Sequence, residues 1–215
     1  MTRQVVVATR SDGKIRELNA LVREFGFDAL SLNDVKIGFD SREDLLESFE
    51  TFEQNALAKA RWFYARASGR VVLADDSGLE VDALNAMPGV HSKRWSNRSD
   101  LEGAALDQAN NEFLWNAIDS APSTGPLTAR YVCAAACVSV AGELVVRGTT
   151  TGVLLRNPRG ENGFGYDPYF VSTELGRTFA EVESGEKARV SHRGRAFREL
   201  FNQLLNDAVF VRLLS

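Results

Sequence analysis

Two short apolar runs without polar alternation, Val5-Val6-Val7-Ala8 and Val71-Val72-Leu73-Ala74, constrain this chain more than any other feature. A strand with one solvated face alternates apolar and polar residues, so runs of this kind suit strands covered on both faces, as in α/β sheets. Each run leads into a polar segment, Thr9-Arg10-Ser11-Asp12-Gly13-Lys14 after the first and Asp75-Asp76-Ser77-Gly78 after the second. The Ser-Gly pair predicts an abrupt end to the second strand, leaving Asp75 and Asp76 at its C-terminal rim, where open α/β sheets usually bind ligands. Adjacent carboxylates at such a rim commonly hold Mg²⁺, which prefers oxygen ligands and retains several waters. The ordinary alternative is a solvated turn, since Asp, Ser and Gly all favour turns.

After the first run, Ile15, Leu18, Leu21, Val22 and Phe25 recur at three- and four-residue steps, which predicts a helix closed by Gly26. A strand, polar loop and helix in this order favour anions, because the first helical turn has free N–H groups and the dipole is positive there. Thr9 and Ser11 would add donors and Lys14 a charge, although the spacing is not that of a Walker loop. Residues 27–32 read as a short strand and residues 33–50 as a long acidic loop, from which Glu43, Asp44, Glu47 or Glu50 could reach a metal beside Asp76. Thr51 and Gln54 then form a capping-box pattern opening a helix whose packed face carries Phe52, Ala56, Ala60 and Phe63, with Asn55 as a cap or core hydrogen-bonding residue.

Further along, Met87-Pro88-Gly89-Val90 reads as a turn, residues 91–98 as a basic loop and residues 100–118 as a helix with Ala104, Ala105, Ala109, Phe113 and Ile118 toward the core. Residues 128–140 and 143–150, joined at Ala141-Gly142, predict an antiparallel hairpin and hence a mixed sheet. The stretch GENGFGYDPYF at 160–170 combines glycines, which let backbone approach a ligand, with Phe164 as a stacking surface and Asp167 as an acceptor for base N–H groups. KARVSHRGR at 187–195 places Lys187, Arg189, Arg193, Arg195 and His192 at or before the start of a final amphipathic helix, where a phosphate would relieve their charge.

Composition limits the partners. With 215 residues, 44% of them hydrophobic, the chain can bury a core as one domain or two closely joined lobes. A net charge of −4 argues against coating nucleic acid and leaves local basic clusters for a small phosphorylated ligand. Cys133 and Cys137 lie within one apolar stretch, which points to neither a disulfide framework nor a zinc site and suits a reducing cytoplasm. The four apolar residues near the start are too few for a secretory h-region, and no run approaches membrane-spanning length.

Five motifs occur together in one order: Thr9-x-x-x-x-Lys14, Thr51-Phe52-x-x-Asn55-Ala56, Ala74-Asp75-Asp76-Ser77-Gly78-Leu79, Gly163-Phe164-Gly165-Tyr166-Asp167-Pro168 and Ser191-His192-Arg193-Gly194. With them the chain resembles the inosine triphosphate pyrophosphatases, enzymes that hydrolyse non-canonical purine nucleoside triphosphates. The resemblance spans nearly the whole chain and implies a single nucleoside triphosphate pyrophosphatase domain over residues 1–215. It further implies an elongated α/β fold, a mixed β-sheet flanked by helices, with two lobes and a central nucleotide cleft, usually as a homodimer without nucleic-acid or membrane partners. Hydrolysis of ITP, dITP or XTP to the monophosphate and pyrophosphate would use Mg²⁺ held by Glu47 and Asp76, with Asp76 catalytic and Asp75 supporting it. Substrate would be held by Thr9, Arg10, Ser11, Lys14, Ser77, Phe164, Gly165, Tyr166, Asp167, Lys187, His192 and Arg193, with Arg193 and His192 offering donors to the purine C6 oxygen. The chain departs from the family pattern at Arg10 and Ser11, where Gly and Asn are usual, and at Gln54, where an acid is expected. A Maf-type pyrophosphatase and a non-catalytic nucleotide-binding module are the competing readings.

Overall fold

A computed structural model describes residues 3–122 and 125–213 of the chain. The first apolar run becomes β1 (Arg3–Val7), followed by α1 (Asp12–Glu24), β2 (Phe27–Leu30) and α2 (Phe52–Tyr64). The second becomes β3 (Val72–Val81), followed by α3 (Gly103–Ser120), the hairpin strands β4 (Thr128–Ser139) and β5 (Gly142–Leu154), and β6 (Phe170–Ser172). Three helices close the chain: α4 (Ser184–Val190), α5 (His192–Asn206) and α6 (Ala208–Leu213). The strands form one six-stranded sheet in the order β2-β1-β3-β4-β5-β6. β1 pairs in parallel with β2 and β3, whereas β5 and β6 are antiparallel. Val140 and Ala141 alone join β4 to its sheet neighbour β5, which permits only an antiparallel return. The sheet is mixed, as the sequence predicts.

The chain divides into two units, one formed by Met1–Asp76, Cys133–Gly148 and Arg193–Ser215, the other by Ser77–Val132 and Thr149–His192. In the first, Val5, Val6 and Val7 of β1, Leu18, Leu21 and Val22 of α1, and Phe197, Leu200 and Phe201 of α5 are buried. Phe25 and Phe27 stack on Phe201 with ring centroids 4.7 and 5.3 Å apart, so α5 closes over the end of α1 and the start of β2. In the second unit, Leu79, Leu114, Trp115, Tyr131, Phe170 and Phe179 belong to one buried cluster, with Tyr131 meeting the Phe170 ring edge-on at 4.7 Å.

Four expectations from the sequence are corrected. β3 does not stop at Ser77-Gly78 but continues to Val81, so Asp75 and Asp76 lie within the strand and not at its C-terminal rim. The rim belongs to β1, whose register with β3 reaches Val7 and Leu73 before the chain turns toward α1. β3 persists because β4 is its neighbour on the other side, which a local Ser-Gly signal cannot reveal. Within the supposed loop at 33–50, Ser41–Glu47 forms a 3₁₀ helix. Asp40 accepts from the Arg42 N–H at 3.0 Å while Glu43 accepts from the Asp40 N–H at 3.1 Å, a reciprocal cap. α3 buries Asn110, Asn111, Leu114, Trp115 and Ile118, leaving Ala104, Ala105 and Phe113 exposed. Its buried asparagines serve loop backbone: Asn110 accepts from the Ser96 N–H and donates to the Lys93 carbonyl. The basic segment at 187–195 is split between α4 and α5, with extended Ser191 between them.

Candidate active site

Successive side chains of a strand point to opposite faces of the sheet, and β3 uses this to give its two neighbouring aspartates different surroundings. Asp75 faces helices α1 and α5. Ser11 caps α1 by accepting from the Lys14 N–H at 3.4 Å, and Lys14, in the first turn, places its ammonium 3.1 Å from Asp75 Oδ2. At the start of α5, Arg193 donates from Nε to the same oxygen at 3.2 Å and from Nη1 to Glu17 of α1. Burial alone would raise the Asp75 carboxyl pKa, but the charges of Lys14, Arg193 and then Lys59 outweigh it and hold the group well below the ordinary carboxylate range. Asp75 is therefore a fixed anion at any physiological pH. The adjacent Cys133 thiol, 3.9 Å away, is pushed upward by burial and then by the Asp75 charge, so it stays protonated.

Asp76 faces α2. Thr51 caps that helix by accepting from the Gln54 N–H at 3.2 Å, and one turn inward Asn55 donates to Asp76 Oδ2 at 2.9 Å. Asn55 also accepts from the Phe49 N–H at 2.9 Å, fastening the turn after the 3₁₀ helix that carries Glu47. One further turn along α2, the Lys59 ammonium lies 2.5 Å from Glu47 Oε1, 2.5 Å from the Asp75 carbonyl and 3.7 Å from Asp76 Oδ1. Burial raises the Asp76 pKa most; Lys59 lowers it, Glu47 raises it again, and the balance lies above the ordinary value. Burial works against the Lys59 ammonium, but Glu47, Asp76 and Asp75 more than offset it and keep the group protonated. Two adjacent carboxylates whose proton affinities are driven apart in this way are a recurring mark of acid–base chemistry.

The second unit holds its own constellation around the glycine-rich turn. Asp107 and Asn111, one turn apart on α3, grip both sides of Gly165: its N–H donates to Asp107 Oδ2 at 2.8 Å and its carbonyl accepts from Asn111 Nδ2 at 3.0 Å. Asp167 Oδ2 accepts from the Phe164 N–H at 2.9 Å and from Lys187 Nζ at 2.6 Å, and that ammonium is 5.1 Å from the Phe164 ring centroid. Gly163 has a φ of +77°, and a Cβ there would lie 2.1 Å from Asp167 Oδ2, so the turn requires glycine. Tyr166 anchors the other side by donating to the Ser92 carbonyl at 2.7 Å. His192 stacks on Tyr131 at 4.6 Å. Phe164 itself is only half-buried and keeps part of its surface accessible for stacking on a planar ligand.

The Ham1 family model matches residues 5–203. The chain belongs to the Ham1 family. It is similar to the dITP/XTP pyrophosphatase of Frankia alni, 44% identical over 198 residues that cover 92% of this chain and 95% of that protein. The dITP/XTP pyrophosphatase of an Exiguobacterium species is 42% identical over 203 residues, covering 94% and 97%. Among solved structures, a HAM1 protein from Coxiella burnetii aligns with a TM-score of 0.77 at 31% identity, covering 95% of this chain and 99% of that one. A nucleoside-triphosphatase / dITP/XTP pyrophosphatase from Mycobacterium abscessus aligns with a TM-score of 0.67 at 43% identity, covering 92% and 98%.

Against this Ham1 background, the structure brings together Lys14, Asp75 and Arg193 in the first unit, Glu47 and Asp76 about Lys59 in the same unit, and Phe164, Asp167 and Lys187 in the second. Arg193 is anchored in the first unit, through Nε to Asp75 and through Nη1 to Glu17. Arg10, in place of the family's usual glycine, turns to the acidic segment: it binds Glu43 at 3.0 and 2.8 Å and donates to the Ile37 and Gly38 carbonyls at 3.2 and 2.8 Å. Thr9 accepts from the Ser11 N–H at 3.2 Å and shapes the same turn. Ser77 lies half-buried within β3 in the second unit.

Sequence reading missed Lys59 and gave Asn55 no place beside Asp76. Both lie on the buried face of α2 with Phe52, Ala56, Ala60 and Phe63, and polar residues on an otherwise apolar stripe are the signal that could have found them. Asp107 and Asn111 carry the same four-residue signature on α3. Among the described residues, no three His, Cys, Asp or Glu side chains converge as a closed metal cage. Glu47 and Asp76 nonetheless fit a hard cation that takes one or two carboxylates and completes its shell with water and substrate phosphate, since both already turn to one buried positive charge.

Proposed function

We propose that the chain hydrolyses non-canonical purine nucleoside triphosphates, dITP, ITP and XTP, between the α and β phosphates, releasing the monophosphate and pyrophosphate and so cleansing the nucleotide pool. The observation that carries this reading is the different setting of two neighbouring carboxylates on β3: Asp75 is paired with Lys14 and Arg193, whereas Asp76 meets Asn55 and Lys59, which also holds Glu47. Asp76 orients a water and takes its proton, a task suited to a carboxylate whose pKa is moved toward neutrality. Asn55 fixes the rotation of that carboxylate through its 2.9 Å bond. Lys14 and the first turn of α1, with Thr9 and Ser11, hold the triphosphate, since such transfers depend on positioning and charge stabilisation. Mg²⁺, when bound by Glu47 and Asp76, supplies further neutralisation of the phosphate oxygens. Asp75 keeps Lys14 in place.

The base would lie against the glycine-rich turn. Phe164 supplies the stacking face, Gly165, Tyr166 and Asp167 set its position, and Lys187 is the charged donor beside it, while His192 stacks on Tyr131. A donor that meets the C6 keto oxygen of hypoxanthine or xanthine is left unpaired by the adenine amino group, at a cost of about 1–3 kcal/mol per group. Pyrophosphate release should therefore show a kcat/KM for ITP and XTP at least about a hundredfold above that for ATP, and EDTA should abolish it. Equal values for ITP and ATP would overturn the base assignment, while nucleotide binding without pyrophosphate release would leave a non-catalytic binding module. The proposal includes a homodimer, supported by the family resemblance and tested by light scattering, and residence in a reducing cytoplasm, supported by two free buried cysteines.

A further inference from the structure

Lys59 is buried, with its ammonium in ion pairs to the two carboxylates assigned above to the metal. Its ammonium has partners on two elements: it donates to Glu47 on the 3₁₀ helix at 2.5 Å and to the Asp75 carbonyl on β3 at 2.5 Å, and it lies 3.7 Å from Asp76 Oδ1 on the same strand. Hydrogen bonds to Glu47 and the Asp75 carbonyl meet two of its three donors, Asp76 adds an ion pair, and Lys59 is buried on α2 along with Ala60 and Phe63. A divalent cation entering alone would share Glu47 and Asp76 with this fixed positive charge at a few ångströms, and the like-charge repulsion in a buried setting is larger than in water.

From this arrangement we infer that Lys59 is an internal counter-cation that keeps the Glu47–Asp76 pair closed to free metal, so that metal enters only together with the triphosphate. The nucleotide brings the extra negative charge that makes two positive charges tolerable in one pocket. Metal and nucleotide are thus coupled ligands, each raising the affinity for the other by the same factor. Lys59 acts here as a positioning residue for the charge balance of the site. The inference rests on the reading of Glu47 and Asp76 as metal ligands and adds the order in which the ligands arrive.

The test is binding of Mn²⁺, as a magnetic stand-in for Mg²⁺, measured by electron paramagnetic resonance of the free ion with no nucleotide present. Lys59→Met, which keeps the stem and removes the charge, should bind Mn²⁺ at least about tenfold more tightly than the unaltered protein, and Lys59→Arg should not. Adding a non-hydrolysable dITP analogue should tighten Mn²⁺ binding to the unaltered protein by a similar factor and to Lys59→Met far less. Lys59→Gln serves the same purpose if thermal melting shows Lys59→Met to be unfolded. Equal Mn²⁺ affinities for the unaltered and neutral variants, with Glu47→Gln weakening both, would overturn the counter-cation and leave the metal ligands standing. A gain in Lys59→Met that survives Glu47→Gln would instead overturn Glu47 as a ligand.

Discussion

Asp75→Asn and Asp76→Asn differ by one position and should separate stability from turnover. The Asp75 side chain is 0% exposed and its Arg193 partner 2%, with Lys14 at 14%, so the first substitution leaves two cations facing a neutral amide in a desolvated cluster, with Glu17 the remaining carboxylate on Arg193. Removing one partner from a buried ion-pair network costs about 3–5 kcal/mol. At about 2–4 °C per kcal/mol for a chain of this size, Asp75→Asn should melt roughly 6–20 °C lower. Asp76→Asn removes a charge that Glu47 already opposes, keeps an oxygen for the Asn55 amide, and leaves Lys59 its 2.5 Å contacts to Glu47 and the Asp75 carbonyl. Its stability should stay within about 1 kcal/mol of the parent. Its turnover should fall by about two orders of magnitude or more, as loss of a general base does. Calorimetric melting and pyrophosphate release on both purified variants decide the matter. A melting point for Asp75→Asn within 2 °C of the parent, or near-normal kcat for Asp76→Asn, would refute the division of roles.

Acid unfolding should report Asp75 directly: its folded pKa is depressed, so its stabilisation is complete above the unfolded value and is lost as pH falls below about 4. Asp75→Asn should flatten that acid limb of the stability curve measured by denaturant titration. Gly163→Ala places a Cβ 2.1 Å from Asp167 Oδ2 at a φ of +77° and should raise KM for the nucleotide while lowering stability by about 1–3 kcal/mol, with kcat less affected. Asn55→Ala strands the Phe49 N–H and takes a donor from Asp76, so unfolding free energy should drop by about 1–3 kcal/mol and kcat should fall with it.

Local chemistry was legible wherever it depended on neighbours in the chain. β1, α1 and its apolar stripe, the Thr51 cap and the hairpin all follow from patterns within a dozen residues, and the structure keeps them. The glycine-rich turn was legible for the same reason, since Gly163 and Asp167 are close in sequence as well as in space. The end of β3 was misread because strand persistence is decided by a neighbour from a remote segment, not by the Ser-Gly pair. The buried face of α3 was misread because Asn110 and Asn111 satisfy backbone groups of distant loops, and apolar periodicity is blind to such partners.

By itself the sequence determined an alternation of doubly covered strands and helices, the presence of two adjacent carboxylates, and a stacking aromatic within a glycine-rich turn. Those are properties of residue type and spacing, which the chain carries whether folded or not. Only the tertiary structure decided which carboxylate is which. The pleat of β3 sends Asp75 toward Lys14 and Arg193 and Asp76 toward Asn55 and Lys59, and charges brought from positions far apart in the chain then set opposite proton affinities on two otherwise identical side chains.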